Sequence, residues 1–485
     1  VDTSSLLELD LHELARRIRT GAVDPVAVTE ATLDWIASVD PALGAFITVM
    51  ADDALETARA AEREIAAGRY RGPLHGVPVG LKDLCETRGV RTTAGSRLLA
   101  AWIPERDATV VRKLREAGAV IVGKLNLHEH AYGATGVNAY TGTVRNPWDR
   151  ERIAGGSSSG SAAAVAAREC YAALGTDTGC SIRIPASLCG VVGLKPTHGR
   201  VSLHGVLPLA PSLDHVGPIA RCVRDVAHVL QAIAGYDPED PWSVDVPVGD
   251  YAAHLDAGVR ALRIGVVSRD TLVAGDPEVL SAFAHAVDVF RALGARCVDI
   301  DGSVLAEWWT ASTAIILAEA AEVHRRSLDA APQLFGDDVR ELLRLGMEVP
   351  AVQYVGASRL RDALRRGVAD EALFGGADVL VLPMSPILAP RLVDLRPDDP
   401  LGVLARHAAP FDVSGHPAIS VPCGFSTTGL PVGLQIVGRH WDEGTLLRAA
   451  AGYEDRRGRL RAPPRVGDAI RDALAVAGGE TMPSG

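Results

Sequence analysis

Residues 176–185 read TDTGCSIRIP, with a thiol and a hydroxyl side by side between a glycine and an arginine. Cys180 or Ser181 could act as a nucleophile if a base takes its proton and donors hold the oxyanion that forms. No histidine lies within the stretch, so the base must come from another part of the chain. Outward from it, helical and strand patterns alternate. Leu6, Leu9, Leu14 and Ile18 recur at roughly helical spacing, and helices are predicted over Pro25–Val39 and Ala51–Ala67. Short apolar runs follow at 77–81, 119–123, 263–267, 378–383, 418–422 and 433–438, with helical segments between several of them. That alternation predicts an α/β fold, a single large domain whose central mixed sheet is covered by helices on both faces. Residues 1–70 read as a helical cap, 76–235 as the core carrying TDTGCSIRIP, 240–375 as a more helical insert and 376–460 as the closing strands of the core. The run SAAAVAARECYAAL at 161–174 reads as one helix, and PRLVDLRPDDP at 390–400 as a loop.

Composition narrows the partners. The 485 residues are 47% hydrophobic and 22% charged with a net charge of −11, and no dense Lys/Arg block is present, which argues against nucleic acid and for a small molecule. Seven cysteines, an odd number without a C-x-x-C pair, favour reduced thiols and a cytoplasmic location. No apolar run reaches the roughly 18 residues that span a bilayer, and SAAAVAARECYAAL is itself broken by Arg168 and Glu169. The opening VDTSSLLELDLHELARR has acidic residues and no basic flank before an apolar stretch, unlike a secretory signal.

Several motifs compete for the chemistry. Gly156-Ser157-Ser158-Ser159-Gly160 fits G-x-S-x-G, which would make Ser158 the nucleophile of an elbow. An elbow needs a buried strand directly before it, and RNPWDRERIAG is charged and holds a proline; a Gly/Ser loop opening a helix is the plainer reading. A phosphate cradle lacks both G-K-[ST] and G-x-G-x-x-G. His128 and His130 form H-x-H, but residues two apart on a helix point to different sides, and no third ligand accompanies them, so no metal site is predicted. His75, His198, His204 and His215 stand singly near glycines and prolines. Lys82 differs, because it ends the apolar GVPVGL where a buried strand emerges, and desolvation there lowers a lysine's pKa. Serving as a base near neutrality requires roughly 4 kcal/mol of such bias.

Taken together, GVPVGLKD at 76–83, GGSSSGSAAA at 155–164 and TDTGCSIRIPA at 176–186 resemble, in that order, the core of the amidase signature family. The likeness continues through LCGVVGLKPTHGRVS, PSLDHVGPIAR, HPAISVPCGFSTTGLPVGLQIVG and DEGTLLRAA. The resemblance implies a Ser-cisSer-Lys triad with Ser181 as nucleophile, Ser157 as bridging serine after a cis peptide bond, and Lys82 as base. It implies an oxyanion hole from the backbone N–H groups of Thr178, Gly179, Cys180 and Ser181, with Ser158 in support. It implies neither metal nor organic cofactor. Cys180 stands where the family usually has a second glycine, which raises the questions of a narrowed pocket and of an unfavourable φ. Asp177 and Arg183 are expected to form a structural ion pair rather than to bind a substrate carboxylate.

The implied activity is hydrolysis of a small-molecule amide through an acyl-enzyme, with carbamate, aryl-amide or ester hydrolysis as an alternative within the family. One branch of the family is the glutaminase component of a tRNA-dependent amidotransferase. SIRIPA, where such components tend to have glutamine before the proline, and DHVGP, where they tend to have DQ, point away from it. A silent binding protein is disfavoured because all three triad positions are filled. Expected partners are an amide or carbamate substrate, neither nucleic acid nor a membrane, and a homodimer as the possible assembly. Trp308, Trp309, Ile315, Ile316, Leu345 and Met347 of the insert are candidates for an acyl or aryl pocket, with helix packing as the equal alternative.

Overall fold

Burial on both faces organises the molecule around one sheet. The computed structural model describes residues 3–395, 402–458 and 463. Among the described residues eleven strands form the sheet: β1 (Phe46–Val49), β2 (Pro78–Lys82), β3 (Val120–Leu125), β4 (Ala172–Asp177), β5 (Val192–Lys195), β6 (His215–Ala220), β7 (Arg263–Val267), β8 (Arg296–Ile300), β9 (Val379–Pro383), β10 (Ala418–Phe425) and β11 (Pro431–Gly438). Their order is β1-β3-β2-β4-β6-β5-β10-β11-β9-β7-β8. Strand β2 runs parallel to β3 and β4, and β7 runs parallel to β8 and β9, while β4–β6, β6–β5, β5–β10, β10–β11 and β11–β9 are antiparallel. Every residue of β2, β3 and β4 is buried, as parallel strands between two helical layers require.

The helix at Pro25–Leu43 shows how local sequence sets an element. Asp24 accepts from the Val26 N–H at 2.7 Å, Pro25 opens the first turn, and Gly44 at φ +67° closes the last. It runs four residues past Val39, with Pro41 in its final turn.

Some expectations fail for identifiable reasons. SAAAVAARECYAAL is two elements: the helix spans Ser159–Ala166, Arg168 turns to φ +66°, and Ala172–Leu174 begin β4. Alanine favours helix intrinsically, but pairing with β2 and β6 overrides that preference. Region 240–375 is helical over Pro277–Ala292, Leu305–Ala330, Asp337–Met347 and Ala351–Arg365, yet it also supplies β7 and β8 at the sheet edge. The N-terminal cap likewise contributes β1. The loop at 390–395 carries a single helical turn at Leu392–Asp394; residues 396–400 of that expected loop, and 459–460 of the expected C-terminal strands, lie outside the described residues. Among the described residues no helix is long and apolar enough to cross a membrane.

Candidate active site

Parallel pairing of β2 with β4, in register at Leu81 and Leu174, brings the carboxyl ends of both strands to one edge. Lys82 emerges from β2, Thr176 and Asp177 end β4, and the loop 178–182 carries Ser181 into the helix Arg183–Cys189. The Gly/Ser loop before the helix Ser159–Ala166 delivers Ser157. The Gly156–Ser157 peptide is cis. Gly156 is needed there for space, since a Cβ would stand 2.7 Å from the Gly136 nitrogen and 2.8 Å from the Gly133 oxygen.

Lys82 is fully buried, and its Nζ lies 2.7 Å from Ser157 Oγ and 2.7 Å from Thr176 Oγ1. Burial, opposed by weaker attraction to Cys85, Asp177 and Asp214, pushes its pKa down to about 7. Both partners are hydroxyls, which donate as well as accept, so the contacts persist when Lys82 is neutral. Its sequence neighbour Asp83 turns to Lys124, 3.2 Å away. Thr176 is a site residue that sequence reasoning missed, although it lies in the TDTGCSIRIP stretch.

Ser181 adjoins this pair. Its carbonyl accepts from the Ser158 N–H at 3.1 Å, and the residue lines a narrow cavity. The side chain of Ser157 is bonded to Lys82 and not to Ser181, so the Ser157–Ser181 link of a relay is open in this structure. Ser158 ties the loop to β4, donating to the Thr176 carbonyl at 3.1 Å and accepting from the Thr176 N–H at 3.2 Å. Among the described residues, the N–H groups of Thr178, Gly179, Cys180 and Ser181 donate to no acceptor. Four consecutive uncommitted donors on residues that line a cavity are the equipment an oxyanion requires. Cys180 takes a negative φ, so its Cβ is accommodated without backbone strain. Burial pushes its thiol pKa up, leaving it protonated and a poor competitor to Ser181.

Arg183 is also fully buried. All five guanidinium N–H groups are used: Nε and Nη2 pair with Asp177 at 2.9 Å each, Nη2 also donates to Asp412, and Nη1 donates to the Ala408 carbonyl at 2.9 Å and Gln435 Oε1 at 2.7 Å. None remains for a substrate carboxylate. Burial alone would raise Asp177, but the Arg183 guanidinium outweighs it and holds the carboxyl below its usual range.

The histidines of H-x-H separate. His128 Nε2 is 3.0 Å from Asp338 Oδ2, whereas His130, at φ +51°, packs its ring 4.3 Å from that of His324. His75 pairs with Glu64 at 3.3 Å, His204 with the Glu239 carbonyl at 3.3 Å, and His198 packs edge-on to His215. Among the described residues two other groups bring three ligand-type atoms together, Asp10/His12/Cys222 and Asp370/His416/His440. The His416 and His440 ring centroids lie 3.8 Å apart, and both rings turn a nitrogen to Asp370, His416 Nε2 at 3.1 Å from Oδ1 and His440 Nδ1 at 3.3 Å from Oδ2. Neither group shares a residue with the cavity at Ser181.

That cavity, about 30 Å³, is lined by Ala131, Tyr132, Ala134, Leu209, Trp309, Ile316 and the loop 178–181, together with Gly133, Thr313, Ala405 and Ala409. It meets a wider cavity of about 790 Å³ at Tyr132 and Ala134. Of the six insert residues proposed as pocket walls, only Trp309 and Ile316 reach the narrow cavity. Trp308 and Ile315, one position earlier in each case, turn about 100° away into the core, and Leu345 and Met347 are exposed.

The pattern of the Amidase family matches residues 27–447. The chain belongs to the amidase signature family. It is 42% identical over 473 residues, 93% of this chain and 97% of the other, to a component chain of the glutamyl-tRNA(Gln) amidotransferase of Geobacter metallireducens. Among solved structures it resembles, at TM-score 0.82 and 35% identity, the peptide amidase of Stenotrophomonas maltophilia, covering 94% of this chain and 98% of that one. A second resembling structure, at TM-score 0.86 and 34% identity, covers 94% of this chain and 100% of the other, and is described as a vestigial protein complex that reveals the origins of an s-triazine catabolic enzyme. This chain is therefore an amidase signature enzyme acting on a carbon–nitrogen bond.

Proposed function

We propose that the protein hydrolyses small-molecule amides whose acyl side is apolar, through an acyl-enzyme on Ser181. Neutral Lys82 takes a proton from Ser157 as Ser157 takes one from Ser181, and the Ser181 oxygen attacks the carbonyl carbon. The N–H groups of residues 178–181 hold the resulting oxyanion, and the relay runs backwards to protonate the leaving amine. Water then repeats the attack on the ester and frees the acid. The observation that carries the substrate class is the lining of the narrow cavity, which among the described residues holds no charged side chain beside Ser181. An acyl group with an ammonium or carboxylate would have to leave water there without a partner.

The amidotransferase relative supports a second reading, a glutaminase that works with protein partners. It draws on the wider cavity, whose wall includes Arg97, Arg340, Asp338 and Asp394, groups able to meet the amino and carboxylate ends of glutamine. Amine or ammonia release from short aliphatic amides, anilides, carbamates and glutamine separates the two. Turnover of apolar amides by the isolated chain, with glutamine left intact, supports the first reading; the reverse preference overturns it.

A further inference from the structure

The peptide joining Asp177 to Thr178 is gripped from behind. His215 opens β6 directly opposite Asp177 in the ladder, and its Nδ1 lies 3.1 Å from the Asp177 carbonyl oxygen. Its other ring nitrogen, Nε2, lies 3.2 Å from Lys195 Nζ. A carbonyl oxygen only accepts, so the ring proton belongs on Nδ1, and Nε2 presents its lone pair to the lysine. Lys195 is fixed in turn, donating to the His416 carbonyl at 2.6 Å and the Pro196 carbonyl at 3.1 Å. The tautomer is thus set from both sides.

In a trans peptide the C=O and the following N–H point to opposite sides. A bond that draws the Asp177 carbonyl toward His215 therefore turns the Thr178 N–H away from His215. The far end of the loop is held independently, because the Asp177 carboxylate accepts from the Ile182 N–H at 3.0 Å and the Arg183 N–H at 3.3 Å. Between these two anchors lie the four uncommitted donors.

We infer that His215 is a positioning residue for the oxyanion hole, its Nδ1–H bond to the Asp177 carbonyl fixing the direction of the Thr178 N–H. The inference rests on the proposed roles of Ser181 and residues 178–181. It places His215 behind the reacting atoms, with Nδ1 nearer to the Asp177 carbonyl than to Asp412 Oδ1.

His215→Asn puts an amide N–H close to the place of Nδ1, His215→Gln offers a longer donor, and His215→Leu offers none. The Asn and Leu side chains both end short of Lys195, so the contrast between them reports what Nδ1 meets, the Asp177 carbonyl at 3.1 Å and, farther off, Asp412 Oδ1 at 3.7 Å. The Leu variant is expected to lose roughly 10²–10³-fold in kcat, the scale of one oxyanion donor, with KM changed less than about threefold. The Asn or Gln variant should retain kcat within roughly tenfold of the unmodified enzyme. Melting temperatures taken alongside show whether each variant is folded; should Leu fail to fold, His215→Ala replaces it as the variant without a donor. A folded variant without a donor but with near-normal kcat overturns the inference, as do donor variants that all fall as far as Leu. Ser181→Ala assayed in parallel keeps the two levels apart: if it stays active, the reading of Ser181 has failed, and if it is inactive while His215→Leu is normal, only the role of His215 has.

Discussion

Lys82 ends β2 and Lys195 ends β5, both fully buried and both pushed by burial down to about 7. What faces them differs. Lys82 meets two hydroxyls, Ser157 and Thr176. Lys195 meets two carbonyl oxygens, of Pro196 and His416, and the lone pair of His215. A hydroxyl can return a proton to a neutral amine, so Lys82 can cycle between charge states without breaking its contacts. The partners of Lys195 only accept, so each of its protons is committed and it acts as a brace. With equal desolvation, the chemistry of the partners suits Lys82 to the proposed role of base and Lys195 to that of a fixed donor.

The largest effect is expected at Ser181, the proposed nucleophile. Ser181→Ala should lower turnover by on the order of 10⁴–10⁶-fold, as removal of a serine nucleophile does elsewhere, with the melting temperature nearly unchanged and fluorophosphonate labelling lost. If Ser158→Ala lost activity while Ser181→Ala kept it, the elbow reading would replace this one.

Next come the members of the relay. Lys82→Ala and Ser157→Ala should each cost roughly 10²–10⁴-fold on an amide, the scale of a general acid–base. Both should cost less on an activated ester, because a phenoxide leaves without the returned proton and an amine does not. Matched kcat values on an amide and an ester measure that selectivity, and equal losses on both substrates would contradict the relay.

Lys195→Met should do the least to turnover. Three acceptors lose their donor, so a stability loss of about 1–3 kcal/mol is expected, read as a lower melting temperature. Amide kcat should stay within roughly tenfold, with His215 still bonded to Asp177. A loss as deep as that of Lys82→Ala would mean that the brace takes part in proton transfer.

Much of this is legible in the sequence, though unevenly. GVPVGLK and VVGLK look alike, each an apolar strand ending in lysine, and only the family resemblance singles out Lys82. The difference between them lies in which strands pair, information no local window contains. Thr176 is invisible for the same reason, since its role depends on β2 lying beside β4. β4 itself, AALGTD, carries alanine and glycine where a strand signal would need β-branched residues. Trp309 and Trp308 cannot be told apart because adjacent helical residues differ only in facing. The helical stretches near the N-terminus are easier, with Asp24-Pro25 and Gly44 supplying start and stop signals that packing does not override.

Lys82, neutral and facing hydroxyls, is the proposed base. Its protonated form falls away as pH rises through about 7, so amide turnover should rise with pH along a limb of apparent pKa near 7. Measured from pH 5 to 9, log kcat/KM should show that limb in the unmodified enzyme and in Lys195→Met, and should lose it in Lys82→Ala. A limb that survives in Lys82→Ala, or that disappears in Lys195→Met, would contradict the assignment.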